Sequence, residues 1–286
     1  MAGATVSRTT LNGGFDVMYG TAVSTTLNSG GTDYDYGAAS GTVINSGLQV
    51  VESGGSASGV TVSGGGEQYI ASGGTASNTV LNGGFDVVFG TTVSTMANSN
   101  SVDYVYGGGI VSGASIDKGA TQVISSGGLT VGNDVNSGGL EFVSSGGTAA
   151  GSIISGGTLE IASGGSIGPG AVTFATSGGG TLRLDASMQF TGLVAGFGLP
   201  GGIDFADIAY TSGVTSVSYA SAAGNLSGTL TVTSGGHTAD ITLLGQYVAG
   251  NFSITSDGHG GTLVTDPPVT TEQNSMVAAI GSTQHG

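Results

Sequence analysis

Residues 67–84 read EQYIASGGTASNTVLNGG, and this unit returns in altered form along the N-terminal part of the chain. It closes with a turn in which an apolar residue precedes a small polar residue and then Gly or Ser. The apolar residues of these turns stand 16 to 19 positions apart and are Leu11, Leu27, Ile44, Val62, Leu81, Ala97, Ile116, Val135 and Ile154. Self-similarity at a period near 18 predicts a solenoid, in which each repeat is one supersecondary unit.

A longer period lies on top of the short one. Residues 15–20, FDVMYG, return as residues 85–90, FDVVFG, and residues 33–37, DYDYG, return as residues 103–107, DYVYG. Both shifts are 70 residues, which is the combined length of four successive repeats. We infer that four repeats were duplicated together.

Composition restricts the classes of partner. The chain has 286 residues, 59 of them Gly, no Cys and a formal net charge of −15 with only three basic residues. Nucleic acid is therefore not an expected partner, since binding to phosphates requires clustered Lys and Arg. No apolar run reaches 18 residues and no signal peptide is visible, so no membrane insertion is expected.

Side-chain alternation predicts which residues of each repeat face inward. The residue two positions before each Ser-Gly-Gly is aliphatic, and we place this column inside: Val51, Ile70, Ile124, Val143 and Ile161. The preceding column is chemically mixed and should face solvent, because successive side chains of a strand point to opposite faces. It contains Val50, Tyr69, Val123, Phe142 and Glu160.

The sequence predicts an all-β protein with three parts. Residues 1–187 should form a right-handed β-solenoid, with handedness taken from the usual crossover preference. The repeat is lost from about residue 190, and alternating segments predict a non-repetitive β-rich C-terminal cap over residues 188–268. Residues 269–286 are expected to be a flexible tail.

Repeats that lack Ser-Gly-Gly must be aligned from their turns. Tyr34 lies seven residues after Leu27, as Val51 lies seven after Ile44, which predicts Tyr34 inside and Asp35 outside. Val105, the duplicate of Asp35, would then be exposed. The opposite register would bury a carboxylate, which is costly without a partner.

A column of asparagines marks the turns: Asn12, Asn28, Asn45, Asn82, Asn98 and Asn136. Asn suits tight turns, and amides stacked in successive repeats can also bond one another as a structural ladder. The alternative is a row of ligand-binding amides.

The repeat unit of residues 67–84 resembles the strand-loop-strand passenger repeats of AIDA-type autotransporter adhesins. The resemblance implies a β-solenoid that is secreted or displayed on a bacterial surface, although no C-terminal membrane barrel of that family is visible here. It also implies O-glycosylation of repeat Ser and Thr by heptose. The matching positions would be among Thr25, Ser77, Thr79, Thr92 and Ser94.

No catalytic, cofactor or metal site is predicted. The histidines are scattered without metal-ligand spacing. Residues 196–201, GFGLPG, match G-x-G-x-x-G, but the dinucleotide motif needs a helix after it and strands are expected here. The outward aromatic residues Tyr69 and Phe142 are possible contact residues, for sugars or for another chain, although single exposed aromatics are also ordinary.

The leading functional hypothesis is a non-catalytic, secreted or surface-displayed bacterial repeat protein with a structural or adhesive role. Its partner would be a host surface, a glycan or a second copy of the chain. The alternatives are a carbohydrate-active enzyme on a β-helix scaffold and a self-assembling extracellular fibre or matrix subunit. An enzyme would need a groove with two carboxylates within roughly 10 Å of each other.

Overall fold

The computed structural model describes residues 3–266, which are folded almost entirely as short β-strands. Up to Ile161 the chain visits three sheets in turn, so that each circuit of three strands forms one coil of a β-solenoid. The expected all-β solenoid is confirmed, with about 11 coils and no α-helix in the described part. The two short 3-10 helices are Ser187–Gln189 and Ala249–Asn251.

Sheet 1 has nine strands of three residues each and is the sheet with the fewest strands. Its strands are Thr5–Ser7, Thr21–Val23, Ala38–Ser40, Ser56–Ser58, Thr75–Ser77, Thr91–Val93, Ile110–Ser112, Leu129–Val131 and Thr148–Ala150.

Sheet 2 has 14 strands, of which the last three in spatial order belong to the C-terminal part of the chain. Its strands are Thr10–Leu11, Thr26–Leu27, Val43–Ile44, Thr61–Ser63, Val80–Asn82, Met96–Ala97, Ser115–Ile116, Asp134–Asn136, Ile153–Ser155, Ala171–Phe174, Leu193–Ala195, His237–Leu244, Ser227–Ser234 and Ser216–Ser221.

Sheet 3 has 13 strands and carries most of the residues discussed below. Its strands are Gly14–Met18, Gly31–Asp35, Leu48–Val51, Glu67–Ile70, Phe85–Val88, Val102–Val105, Thr121–Ile124, Leu140–Val143, Thr158–Ile161, Gly180–Leu184, Gly201–Phe205, Thr262–Thr265 and Ser253–Ser256.

Neighbouring coils pair in parallel and in register, so equivalent residues form straight columns along the solenoid. The aliphatic column predicted to lie inside does so, with Val51, Ile70 and Ile124 fully buried. Sheet 2 adds Leu27, Ile44 and their equivalents, whereas sheet 1 adds mainly Ala and Thr. The core is therefore a narrow prism in which every coil is covered by the next, as stacked repeats require.

The alignment of the aspartate repeats was wrong by one residue. Asp35 pairs with Val51 and is fully buried, and Tyr34 pairs with Val50 on the outer face. Val105 is likewise buried. The reason is the turn: four residues separate Leu27 from Thr32, whereas three separate Ile44 from Leu48, the residue that pairs with Thr32. One extra turn residue turns every following side chain to the other face.

The C-terminal part of the described chain closes one end of the solenoid. Parallel pairing continues past residue 187, since Gly201–Phe205 still pairs in parallel with Gly180–Leu184. His237–Leu244 then pairs in parallel with Leu193–Ala195 on one side and antiparallel with Ser227–Ser234 on the other. These antiparallel strands cover the edges of the last coil, which would otherwise expose unpaired backbone.

Candidate functional site

The outer surface of sheet 3 carries a cluster of aromatic rings, which we call the aromatic face. It consists of Phe15, Tyr19, Tyr34, Tyr36, Tyr69, Phe85, Phe89, Tyr104 and Tyr106. The outer position of each strand, or the position just after the strand, projects these rings away from the core. Phe15 is 72% exposed and Tyr19 is 59% exposed, so part of this apolar surface is open to solvent.

Two stacked ring pairs stand out within the aromatic face. The ring centroids of Tyr19 and Tyr36 are 4.9 Å apart, and those of Phe89 and Tyr106 are 5.1 Å apart. The second pair is the 70-residue duplicate of the first. Four coils separate the two pairs, which corresponds to about 19 Å at the spacing of neighbouring strands. The face therefore presents the same aromatic feature twice along one line.

Acidic side chains accompany the rings. The pKa of the exposed Tyr36 phenol is raised, chiefly by the negative charge of Glu52, which also accepts a hydrogen bond from it. Glu67 is the first residue of the strand Glu67–Ile70 and lies on the same outer face as Tyr69. The aromatic face thus combines open rings with hydrogen-bond acceptors and lacks a basic side chain among the residues named here.

The two aromatic residues suggested by the sequence lie on this outer surface, but only one joins the ring cluster. The Tyr69 ring is 5.5 Å from the Phe89 ring, centroid to centroid. Phe142 occupies the same column four coils further on and is half-buried. The four rings with the closest stacking had no individual signal in the sequence, although the repeated aromatic motifs at residues 15–20 and 33–37 contain two of them.

Some of the turn asparagines bond one another in the structure. Asn28 donates to Asn12 Oδ1 over 2.6 Å and accepts from Asn45 Nδ2 over 2.8 Å. The row is interrupted where Ser63 takes the position and resumes with Asn98, which donates to Asn82 Oδ1 over 2.9 Å. Asn136 instead donates to Asp117 Oδ1 over 2.7 Å. These amides satisfy one another, which favours a role in holding coils together.

The inner surface of sheet 3 carries an unexpected polar column, which we call the acid–amide seam. Its members, in coil order, are Asp16, Asp33, Gln49, Gln68, Asp86, Asp103, Gln122 and Glu141. All except Asp16 are buried. Amides of the seam serve only some of the buried acids: Gln122 Nε2 donates to Asp103 Oδ2 over 2.7 Å. Gln49 Nε2 donates over 2.8 Å to Asp35 Oδ2, which lies in the neighbouring inner column with Val51.

Burial makes these acids hard to ionise. Desolvation is the main cause that raises the pKa of Asp33 to about 7, with further contributions from the negative charges of Asp35 and Asp16. Desolvation also raises the pKa of Asp35 to about 6, against the hydrogen bond from Gln49. Neither oxygen of Asp33 has a hydrogen-bond partner within residues 3–266. The interior of the solenoid therefore favours protonated carboxyl groups.

Sequence reasoning missed this seam, although a signal was present. Each seam residue of the well-aligned repeats stands two positions before an aliphatic residue that was placed inside, as Gln49 does before Val51. Strand alternation alone puts both on the same face. The signal was overlooked because long polar residues are rarely expected in a core.

The strongest candidate for catalysis is a charged cluster on the outer surface near the C-terminal end of the solenoid. Arg183 lies 3.0 Å from Asp204, 3.1 Å from Asp185 and 3.6 Å from Glu160. Three carboxylates thus meet within the separation that glycoside hydrolysis uses. All three are held by the same guanidinium, however, and none lines the cavity beside Tyr247 or the two cavities beside Phe190. The arrangement is that of an ion-pair network.

A cavity lies between the last coils and the cap. It has a volume of about 470 Å³ and is lined by Phe197, Leu199, Tyr247, Asp266 and neighbouring residues. Gly196 and Gly198 of the G-x-G-x-x-G match belong to its wall, and the strand Gly201–Phe205 follows them where the dinucleotide motif requires a helix.

Within residues 3–266 no group of three or more His, Cys, Asp or Glu side chains could hold a metal ion. No helix in the same range is long and apolar enough to cross a membrane.

The structure also separates the five hydroxyl positions suggested as glycan acceptors. Thr25, Thr79 and Thr92 are buried in the core. The Thr79 hydroxyl donates to Gln68 Oε1 over 2.9 Å, inside the seam. Ser77 is half-buried and Ser94 is exposed. Only the two serines are therefore at positions that an enzyme acting on the folded chain can reach.

Comparison with known proteins places this solenoid in a class. No protein-family model matches the chain, and no curated protein matches it. Among solved structures, it is similar to the TibC-catalysed hyper-glycosylated fragment 55–350 of TibA, an autotransporter adhesin passenger. The identity is 37% over 67% of this chain and 70% of that fragment, with a TM-score of 0.54.

That likeness is sufficient to assign the family. At this identity and coverage, the chain belongs to the β-solenoid passenger family of which the TibA fragment is a member. The resemblance noted in the repeat units is thus supported at the level of the passenger solenoid.

The first prediction concerns the asparagine ladder. Asn28→Ala removes two hydrogen bonds between coils, whereas Asn45→Ala removes the one that its amide donates to Asn28. At about 1 kcal/mol for each net bond, we expect a loss of unfolding free energy of about 2 kcal/mol for Asn28→Ala and about half of that for Asn45→Ala. Chemical denaturation measures both values. Equal losses for the two variants would contradict a ladder role.

The second prediction concerns the seam. A raised pKa in the folded state means that the stabilising contribution of Asp33 is complete below about pH 4 and is lost as the pH rises through about 7. Asp33→Asn should therefore leave the melting temperature near its wild-type value at about pH 4 and raise it at about pH 8. We expect a rise of at least about 2 °C, the shift that roughly 1 kcal/mol produces in a domain of this size.

Glu67→Gln is the matched control for this experiment, because it removes a negative charge from the outer surface of the same sheet. It should change the melting temperature equally little at both pH values. A pH-independent effect of Asp33→Asn, or a lower melting temperature at about pH 8, would show that Asp33 is not a destabilising buried carboxylate.

Proposed function

We propose that this protein is a non-catalytic, secreted or surface-displayed repeat protein with an adhesive role, and that the aromatic face is its contact surface. The observation that carries the proposal is the pair of stacked ring sets on one outer face, Tyr19 with Tyr36 and Phe89 with Tyr106. The similarity to a passenger fragment of an adhesin supports the same role.

The chemistry of the aromatic face favours an uncharged carbohydrate as the partner. Exposed rings offer flat apolar surfaces to the apolar faces of sugar rings, and Glu52 and Glu67 offer acceptors to sugar hydroxyls. The net charge of −15 disfavours sialylated, sulfated or otherwise acidic glycans. Spacing the two ring pairs about 19 Å apart lets one extended glycan chain engage both, which raises its avidity.

The third prediction tests this surface. The double variant Tyr19→Ala, Tyr36→Ala removes one exposed ring pair without changing any core side chain. We expect it to lower the apparent affinity for neutral glycans on an array at least about tenfold, equivalent to about 1.4 kcal/mol. Adhesion of protein-coated beads to cultured cells should fall in parallel.

Met96→Ala is the control variant, because Met96 is 46% exposed on the outer surface of sheet 2. It should leave both adhesion and glycan binding unchanged. Unchanged binding by the double tyrosine variant, with its fold intact by circular dichroism, would exclude the aromatic face as the contact surface. Loss of concentration-dependent filaments in that variant, without any glycan binding by the wild type, would instead favour a self-assembling fibre subunit.

We also propose that the accessible serines of the repeats, Ser77 and Ser94, are glycosylated in the native organism. The support is the hyper-glycosylation of the TibA fragment together with the exposure of Ser94. A glycan on a folded solenoid requires an accessible acceptor, and Thr79 and Thr92 have no exposed surface.

The fourth prediction follows from that difference in exposure. Protein from the native organism should have an intact mass above that of the bare chain. Peptide mapping should find the modification on the peptide with Ser94 and leave Thr79 and Thr92 unmodified. A mass equal to the bare chain, or modification at either buried threonine, would contradict the proposal; unmodified recombinant protein is the mass reference.

A further inference from the structure

Two acid–amide seam positions place aspartates in successive coils with no amide between them. Asp86 pairs in register with Asp103, and both are fully buried. The three ion pairs found within residues 3–266 all belong to Arg183, so no basic side chain of that range compensates either aspartate. Two buried carboxyl groups at one coil spacing require neutralisation, by protons or by a cation.

Two threonine hydroxyls point to the same place. Thr92 and Thr95 lie on the chain segment between the two aspartates, are buried, and have no hydrogen-bond partner for their hydroxyls within residues 3–266. Their direction follows from the equivalent coil, in which Thr130 and Asn133 both donate to Glu141 Oε1, over 2.9 Å and 3.0 Å.

The register makes this equivalence strict. Thr92, Val111 and Thr130 form one column, and Asp103, Gln122 and Glu141 form another. Asp103 thus faces Thr92 and Thr95 as Glu141 faces Thr130 and Asn133. Because Asp is one methylene shorter than Glu, the Asp103 carboxylate lies about 1.5 Å farther from its two hydroxyls than the Glu141 carboxylate lies from Thr130 and Asn133. The space between them is bordered by oxygen atoms.

These four residues, Asp86, Thr92, Thr95 and Asp103, are named the Asp86 cluster. Five of their side-chain oxygens have no side-chain partner in the described chain: both of Asp86, Oδ1 of Asp103 and the two hydroxyls. Apart from the Val87 amide next to Asp86, no donor of the described residues serves the Asp86 carboxylate.

We propose that the Asp86 cluster binds one calcium ion inside the solenoid. Neighbouring strands are about 4.8 Å apart, so an ion midway between two stacked carboxylates lies about 2.4 Å from each. That distance is the one at which calcium binds oxygen, about 2.3–2.6 Å. Hydroxyl and carboxylate oxygens are suitable ligands for a hard cation, and backbone carbonyls or water complete its shell of roughly six to eight oxygens.

The first copy of the duplication provides an internal comparison. Asp16 and Asp33 are the duplicates of Asp86 and Asp103, but Ala22 stands in the place of Thr92. Asp16 lies in the first coil, is only half-buried, and accepts a hydrogen bond from the Val17 amide over 2.8 Å. The first copy therefore lacks the threonine ligand and the full burial of the cluster, and we do not propose a calcium site there.

The fifth prediction tests calcium directly. Protein purified in calcium-containing buffer and then desalted should retain about one equivalent of calcium by mass spectrometry of the elements. Its melting temperature should be at least about 5 °C higher in calcium than in EDTA, the size expected for a ligand well above its dissociation constant. Asp86→Asn and Asp103→Asn should lose both the retained calcium and the calcium-dependent stability, and Asp33→Asn should keep both.

Asp86→Asn also separates a bound cation from shared protons by its sign. If calcium joins the carboxylates, this variant melts at a lower temperature than the wild type in calcium. If protons neutralise the pair, replacing a buried acid by its neutral isostere raises the melting temperature and calcium changes nothing. The second result, or wild-type protein retaining no more calcium than Asp86→Asn, would overturn the proposal. Should Asp103→Asn fail to fold, Thr95→Val replaces it, with the same expected loss.

Discussion

In-register parallel stacking is the constraint on which the rest of this molecule depends. Each side chain of the solenoid meets its own equivalent about 4.8 Å above and below, so the chemistry of a position is repeated and summed along a column. Amides gain from this arrangement because each can donate to one neighbour and accept from the other, as Asn28 does. Carboxyl groups lose from it, because like charges stack at the closest spacing that the backbone permits. The columns of this protein are therefore sorted into those that stabilise themselves and those that need a compensating partner.

The inner and outer faces of sheet 3 show the two results of this rule on the same strands. In the strand Phe85–Val88, Asp86 faces inward while Phe85 and Val87 face outward. Ring stacking between coils requires nothing beyond the coil spacing, since aromatic rings attract one another at centroid distances of about 4.5–7 Å. The fold can therefore form an elongated surface of repeated rings without further interactions. A duplication of four coils repeats that surface at a fixed distance. Such a surface suits an adhesin, which gains avidity from repeated contacts with an extended partner.

Much of the fold could be predicted from the sequence because the same period and the same side-chain alternation recur in many repeats. The solenoid, the inward aliphatic column and the outward position of Tyr69 all follow from period and alternation. Residue-level detail at Tyr34 and Asp35 did not follow, because it depends on whether a turn has three or four residues. The pair Gly30-Gly31, where the next turn has the single Gly47, was the available signal. The clustering around Arg183 could not be foreseen, since Glu160, Asp185 and Asp204 belong to different coils whose lengths no longer follow the repeat.

The small side chains of sheet 1 explain why Asp and Gln, and not Tyr, occupy the inner seam column of sheet 3. The inner residues opposite the seam are mostly small, as at Ala22, Ala39 and Ala76, which shows how little depth the prism has. A tyrosine ring in the seam column would need to fit under the next coil and against this wall, and overpacking of a core is itself destabilising. Asp and Gln are short or flexible enough to fit and can be neutralised by protons, amides or a cation. The narrow cross-section thus places the acidic and amide side chains inside and the rings outside, and the aromatic face is a consequence of what the core cannot hold.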